Sequence, residues 1–373
     1  MRKTRVIQVR DLKIGGNNPI AVQSMCATRT QDIDDTIAQV KLLEKAGADL
    51  IRIAIDNKSD VEALKTIRST TDARLVVDLQ ENYPLAELVA PFVDKFRYNP
   101  GHLHHLHPKT PIRDKVKWLT QIARDHNCAL RIGVNCGSVA PEFLEKYGND
   151  HEKAIVESAV WHCDLMDEFK FENFVVSLKD SDPKQVVICN EEFSKRRPDI
   201  PIHLGVTEAG LPPDGIIKTR IAFEKLISQG IGDTLRVSLT VPYEEKYEEI
   251  RVGRQIIQDI QDGKFISVPE NFGEGLNVIS CPSCSRVENG EFVKLAQEVK
   301  AMAQFAKEHK ITIAVMGCRV NGPGETDDAD LGLWCGPAKV TLKKKDETLG
   351  AYRYNEILPI LKQKLETLIS ERV

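Results

Sequence analysis

The chain has 373 residues, with 51 Lys and Arg against 55 Asp and Glu, a net charge of −4 and 42% hydrophobic residues. The length exceeds one ordinary domain and suits a large domain followed by a small one, and the composition excludes a disordered chain. The mild acidity excludes nucleic-acid binding by bulk charge, though not a local basic site for a small anion. The opening MRKTRVIQVRDLKIGG lacks the apolar core of a secretory signal, and no run approaches the roughly 18 apolar residues of a spanning helix. These features predict a cytoplasmic protein with no membrane association, whose nine cysteines stay free or bind metal rather than pair as disulfides.

From residue 20 to about 260 a short apolar run is followed each time by an amphipathic stretch. The runs are IAVQSM (20–25), LIRIAI (50–55), LVVDLQ (75–80), VDKFRYNP (93–100), ALRIGVN (129–135), FVVSLK (174–179), IHLGVTEAG (202–210) and TLRVSL (234–239). In the first intervening stretch Ile33, Ile37 and Val40 share one helical face. Eight β-then-α units of this total length predict a TIM (β/α)8 barrel, which typically takes roughly 250 residues. The alternative, an open doubly wound sheet, has fewer strands and a glycine-rich first turn, and no G-x-G-x-x-G occurs. Residues 263–275, GKFISVPENFGEG, read as a linker. A small α+β unit follows: the strand LNVIS (276–280), a thiol pair, a helix near 291–309, the strand ITIAVMG (311–317), a polar glycine-rich loop, a charged hairpin (339–354) and a last helix with a stripe of Leu358, Leu361, Leu365 and Leu368. The expected domains are thus 1–262 and 263–373.

Buried strands should carry no charge, yet Arg52, Asp78, Arg97, Asn99, Arg131, Asn135, Lys179, Glu208, Arg236 and Ser238 fall in or just after these runs. The C-terminal ends of barrel strands escape that cost because they open into the active-site mouth. The set is mostly cationic, and guanidinium groups hold phosphate oxygens in pairs, so the expected ligand is a small phosphate or diphosphate. Glu208 is placed to transfer a proton within that basic mouth. Arg236 has the same chemistry but ranks lower, as a structural ion-pair partner.

ISCPSCSR (279–286) presents Cys281 and Cys284, and GCRVNGPGE (317–325) presents Cys318 in a loop that bends tightly. With Cys335 these make four thiols. A closed zinc site and an iron–sulfur cluster both fit the spacing. GHLHHLHP (101–108) offers four further histidines and reads as an exposed loop over the mouth. Cys26, Cys128, Cys136, Cys163 and Cys189 read as small packed residues.

CPSCSR followed by MGCRVNGPGE resembles the signature of the 4-hydroxy-3-methylbut-2-enyl diphosphate synthases, the IspG/GcpE family. VQSM (22–25), RYNPG (97–101), RIGVN (131–135), HLGVTEAG (203–210) and GIGDTLRVSL (230–239) match the same family in order, over roughly residues 5–345. The resemblance implies a sulfite-reductase-like second domain with a [4Fe–4S] cluster on Cys281, Cys284, Cys318 and the carboxylate of Glu325, so that Cys335 is not a ligand. It implies reductive ring opening of 2-C-methyl-D-erythritol 2,4-cyclodiphosphate, with electrons from reduced flavodoxin or ferredoxin, in a head-to-tail homodimer. Carried over, it assigns Arg52, Arg97, Arg131, Asn135, Lys179 and Ser238 to the diphosphate, Asp78 and Asn321 to hydroxyls, and Glu208 to proton donation. The sequence departs at Gln80, where the family commonly has histidine, and at His102, where asparagine often follows NPG. The stretch DDADLGLWCGPAKV resembles the large plant-type form, without room for that form's inserted domain.

Overall fold

The computed structural model describes residues 3–148, 150–265, 275–318, 326–327 and 329–372. The chain divides into two compact units. The first comprises Met1–Val206, Lys218–Val237 and Lys246–Phe265, and the second Thr207–Ile217, Ser238–Glu245 and Ile266–Val373.

The first unit opens with a feature the sequence reading did not foresee. Strands β1 (Ile7–Val9) and β2 (Leu12–Ile14) form an antiparallel hairpin with Ile7 opposite Ile14. Ile7, Val9 and Ile14 are buried together with Ala21, Leu50, Val76, Ala129 and Val175. Those five residues lie at or next to the first residue of their strands, so the hairpin seals the N-terminal end of the barrel.

The eight apolar runs each form a strand: β3 (Ala21–Met25), β4 (Leu50–Ala54), β5 (Leu75–Gln80), β6 (Lys95–Tyr98), β7 (Ala129–Asn135), β8 (Phe174–Lys179), β9 (His203–Leu204) and β10 (Thr234–Leu235). They pair in parallel in the order β8-β7-β6-β5-β4-β3-β10-β9. A parallel bridge from Val176 to Ile202, with Val176 N–H donating to the Pro201 carbonyl at 3.1 Å, joins the two edges into a nearly closed barrel. Every residue of these strands is buried, as in a parallel sheet covered on both faces.

The outer layer is α1 (Ile33–Lys45), α2 (Lys58–Ser69), the short α3 (Ala86–Val89), α4 (Ile112–Asp125), α5 (Pro141–Tyr147), α6 (His151–Glu168), α7 (Pro183–Arg196), α8 (Asp214–Ser228) and α9 (Glu248–Gln261). The start of α2 shows how sequence fixes an element. The Asn57 side chain accepts from the amides of Ser59 and Asp60 at 2.8 and 3.1 Å, and Asp60 accepts back from the Asn57 amide, so a capping box satisfies donors the helix leaves open. In α1, Val40 and Leu43 are fully buried while Ile33 and Ile37 lie half-buried at the edge of the same face.

The second unit holds a separate sheet in the order β11 (Asn277–Ser280), β12 (Thr312–Met316), β13 (Leu331–Cys335), β14 (Val340–Lys344), β15 (Glu347–Tyr352). The first three strands are parallel and the last two antiparallel. Helix α10 (Glu291–Met302) continues as a 3-10 turn to Ala306, and α11 (Ile357–Arg372) closes the unit. Leu361, Leu365 and Leu368 enter the core as the stripe predicts, with Ile357 fully buried and Leu358 only partly so. Strand β13 was not foreseen: LGLWC stands in a stretch that reads as loop. Most of the expected linker, residues 266–274, lies outside the described residues. No helix among the described residues is long and apolar enough to cross a membrane.

Truncating Ile14 to alanine is expected to destabilise the barrel by about 2–5 kcal/mol in denaturant unfolding, the cost of an unfilled apolar cavity. A loss under about 1 kcal/mol would show that the hairpin does not seal the barrel.

Candidate active site

The side-chain alternation of the strands builds the first unit's interior. On β6, Lys95 and Arg97 are two residues apart and point the same way. Arg97 pairs in register with Arg131 of β7 and with Asp78 of β5, and Asn135 of β7 pairs with Lys179 of β8. Arg52, Lys95, Arg97, Arg131, Lys179 and Arg236 are all buried. Two carboxylates face them. Asp78 accepts from Arg97 at 3.0 Å and lies 3.9 Å from Arg52. Glu249 lies 3.7 Å from Arg236 and accepts from Lys246 and Ser24 at 2.7 and 2.8 Å, which makes Arg236 the ion-pair partner its sequence position suggests.

The cations are thus concentrated beyond their counter-charges. Burial, reinforced by the charges of Arg131 and Arg52, holds the Lys95 and Lys179 ammonium groups well below their ordinary range. Burial with Arg52 and Arg97 pushes Arg131 in the same direction. The nitrogens Lys95 Nζ, Arg131 Nε and Arg97 Nε are buried without a hydrogen-bond partner among the described residues, as is Oδ1 of Asn135. An anion with several oxygens is the ligand such an interior lacks.

Space for these long side chains comes from glycines on the facing strands. A Cβ on Gly133 would sit 3.0 Å from Cγ of Arg97, and one on Gly205 would sit 2.8 Å from Cε of Lys179. Arg97 then donates to the Gly133 carbonyl at 2.8 Å and to the side chain of Gln80. Gln80, in the position where the family commonly carries histidine, holds φ at +45°, a conformation unusual for a residue with a Cβ. Asn99 donates to Ser138 at 2.7 Å and accepts from the Gly101 amide at 3.1 Å, so its role in the NPG turn is structural.

Glu208 and Ser238 belong to the second unit, with the thiols. Both are buried, and Glu208 also has a positive φ, +48°. In that unit Ala209 bridges to Ser280, and the Thr240 hydroxyl lies 2.7 Å from that of Ser280 and donates to the Cys281 carbonyl at 3.0 Å. The Cys281 thiol is buried and pushed up to about 12 by desolvation, then by the neighbouring Cys284, with Glu208 adding to the rise. The Gly317 amide donates to its sulfur at 3.2 Å, and the Ser283 amide does likewise. Ser283, between the two cysteines, holds φ at +48°. A Cβ on Gly317 would meet the Cys281 sulfur at 3.2 Å and the Phe292 ring at 3.0 Å, so only glycine lets that amide approach.

A thiol pair on a tight turn, with backbone N–H groups aimed at the buried Cys281 sulfur, suits an iron–sulfur group, whose properties depend on such bonds. Cys318 is buried at the end of β12, and Cys284 is half-buried. Cys335 is fully buried in β13, its thiol donating to the Leu333 carbonyl at 3.9 Å, and desolvation raises its pKa. Asn321 and Glu325 lie outside the described residues. Cys26, Cys128, Cys163 and Cys189 are buried as expected of packed thiols, and Cys136 is half-buried.

Sequence reasoning missed Lys95 and His203. Both lie at strand positions before the C-terminal ends, where the search for charge began. His203 is fully buried, its Nδ1 3.3 Å from the Thr234 hydroxyl, and burial plus the Lys179 and Arg131 charges hold it neutral.

The fold and these side chains define a (β/α)8-barrel protein with a cation-rich interior and a second module carrying a cluster of cysteines. The chain belongs to the GcpE family. Residues 4–254 match the GcpE TIM-barrel domain and residues 277–367 match the GcpE protein C-terminal domain. A protein of Rhodopirellula baltica named 4-hydroxy-3-methylbut-2-en-1-yl diphosphate synthase (flavodoxin) is 60% identical over 372 residues, covering 99% of this chain and 97% of that one. One of the same name from Fusobacterium nucleatum is 41% identical over 373 residues, covering 99% and 98%.

Replacing Arg131 by methionine removes a buried cation from among like charges. It is expected to stabilise the anion-free protein by about 1–4 kcal/mol while abolishing the rise in melting temperature that inorganic diphosphate gives the native chain. Destabilisation with an intact diphosphate response would refute the anion-holding role.

Proposed function

We propose that the protein reduces 2-C-methyl-D-erythritol 2,4-cyclodiphosphate to 4-hydroxy-3-methylbut-2-enyl diphosphate, a step of the methylerythritol phosphate route to isoprenoids. It is an iron–sulfur oxidoreductase of the GcpE family. The observation that carries the reading is the barrel interior, where, among the described residues, buried cations outnumber the carboxylates Asp78 and Glu249, in a chain whose second unit offers a buried thiol, Cys281, that accepts from backbone amides. Two electrons and two protons enter. The carbon–oxygen bond to the cyclic diphosphate breaks, a hydroxyl leaves as water, and the linear allylic diphosphate remains.

Cys281, Cys284, Cys318 and Glu325 hold a [4Fe–4S] cluster. When bound, that group would supply electrons one at a time, and the Glu325 carboxylate would be a harder ligand to it than the three thiolates. The chain's own residues do the rest. Arg52, Arg97, Arg131, Lys179, Asn135 and Ser238 bind the diphosphate and fix its orientation. Lys95, whose ammonium lies two residues deeper on β6, adds charge beneath them. Asp78, tied to Arg97 and Arg52, is held in position to accept from a substrate hydroxyl, and Asn321 shares that task. Glu208, buried at a strained backbone position, delivers the proton to the departing oxygen.

The electron donor is flavodoxin, in keeping with the names of the relatives. Apart from Ser238, the residues that hold the diphosphate lie in the first compact unit and the thiols lie in the second. We propose that they meet across a head-to-tail homodimer, the second unit of one chain serving the barrel of the other.

Two measurements test this. With the cyclic diphosphate and reduced flavodoxin under anaerobic conditions, Cys335→Ser is expected to retain most turnover and Glu325→Ala to lose at least about 100-fold. Full activity in Glu325→Ala with loss in Cys335→Ser would overturn the ligand set. Co-expressed Arg131→Met and Cys318→Ser chains, each inactive alone, are expected to recover about a quarter of native activity if sites form between chains. An inactive mixture that still dimerises would sink the head-to-tail arrangement.

A further inference from the structure

The turn after β5 and the loop after β6 bring together three metal-ligating side chains that the reaction leaves unused. Nδ1 of His102 and Nδ1 of His105 lie 4.0 and 3.9 Å from Oε1 of Glu81. The three ligand atoms all fall within 4.8 Å of one another. The two imidazoles are stacked, their centroids 4.9 Å apart and their planes 22° from parallel, so both present the same ring edge to the carboxylate.

The surroundings prepare His102 as a ligand. Its side chain is 10% exposed, against 41% for His105 and 52% for Glu81, so one ligand is anchored and two are reachable from solvent. Gln80 fixes the tautomer. Its carbonyl oxygen accepts from Arg97, which leaves its amide N–H to face His102 Nδ1 at 3.4 Å. That nitrogen therefore carries the lone pair of the ring, and a bound metal would take it in place of the 3.4 Å contact from Gln80. The positive φ of Gln80 shows that this arrangement is kept against local strain.

We propose that Glu81, His102 and His105 form a site for a divalent first-row transition metal, with two nitrogen donors, one oxygen donor and an open position. Two imidazoles and a carboxylate suit Zn²⁺ or Fe²⁺ rather than Mg²⁺. Tetrahedral zinc, with bonds near 2.0–2.2 Å, needs its ligand atoms about 3.4 Å apart, so atoms that lie within 4.8 Å of one another must close by up to roughly 1.4 Å, a movement the exposed Glu81 and His105 can supply. The bound ion pins the loop after β6 to the end of β5 and adds a positive charge beside the Gln80–Arg97 pair. The site lies within the first unit and shares no residue with the thiol ligands.

Titration calorimetry with Zn²⁺ on cluster-loaded protein, prepared anaerobically, tests this. The native chain is expected to bind one equivalent that His105→Ala and Glu81→Gln each weaken more than about tenfold. The visible absorbance of the cluster should stay constant throughout, which excludes displacement of its iron. Both substitutions alter exposed side chains, and a second check, displacement by excess Mg²⁺, needs no variant and should fail. Equal Zn²⁺ binding by native and variant chains, no binding by the native chain, or release by Mg²⁺ would each overturn the proposal.

Discussion

Mutual repulsion among buried cations is the constraint on which the barrel depends. Arg52, Lys95, Arg97, Arg131 and Lys179 occupy one interior, with Asp78 as the carboxylate paired among them. In a medium of low dielectric such a buried set opposes folding. The rest of the first unit counters it. The strands are apolar on their outer faces, the N-terminal hairpin seals the bottom, and arginine nitrogens find a carbonyl at Gly133, a sulfur at Met25 and a hydroxyl at Ser177. A protein that maintains this imbalance holds in reserve the attraction an incoming polyanion releases.

The second unit shows the same economy with a different ligand. A buried thiol resists ionisation, and Cys281 is held in that state by desolvation. Amide N–H groups from Gly317 and Ser283 lean on the sulfur in the other direction, offering stabilisation that a thiolate uses and a thiol does not. The backbone provides this at the cost of a positive φ at Ser283 and a glycine at position 317. Both units are therefore shaped for partners whose charge completes them.

Most of the barrel was legible because parallel strands covered on both faces read as unbroken apolar runs, and eight such runs leave few alternatives. Even β9 and β10, with two ladder residues each, were marked by the flanking sequence. The hairpin β1–β2 escaped notice because three-residue strands such as IQV and LKI carry no periodicity long enough to read. Strand β13 was hidden by Gly332 and by the polar run before it, since its burial comes from neighbouring strands rather than from its own composition. At the site, charge interrupting an apolar run identified Arg52, Arg97, Arg131 and Lys179. The same signal was present at Lys95 but lay at the wrong end of its strand to attract attention. The convergence of Glu81 with His102 and His105 depends on two loops meeting in space, which no linear spacing encodes.

Gly133 and Gly205 interlock with Arg97 and Lys179 as vacancies shaped to long neighbours. Neither member of such a couple is free to change alone: a methyl on the glycine evicts the cation, while a shorter cation leaves a void on the glycine. Descendants of this chain should thus drift at these positions in concert or stay put. An engineer wishing to re-aim the barrel toward a bulkier or less charged ligand would have to redraw both halves of a couple in one move.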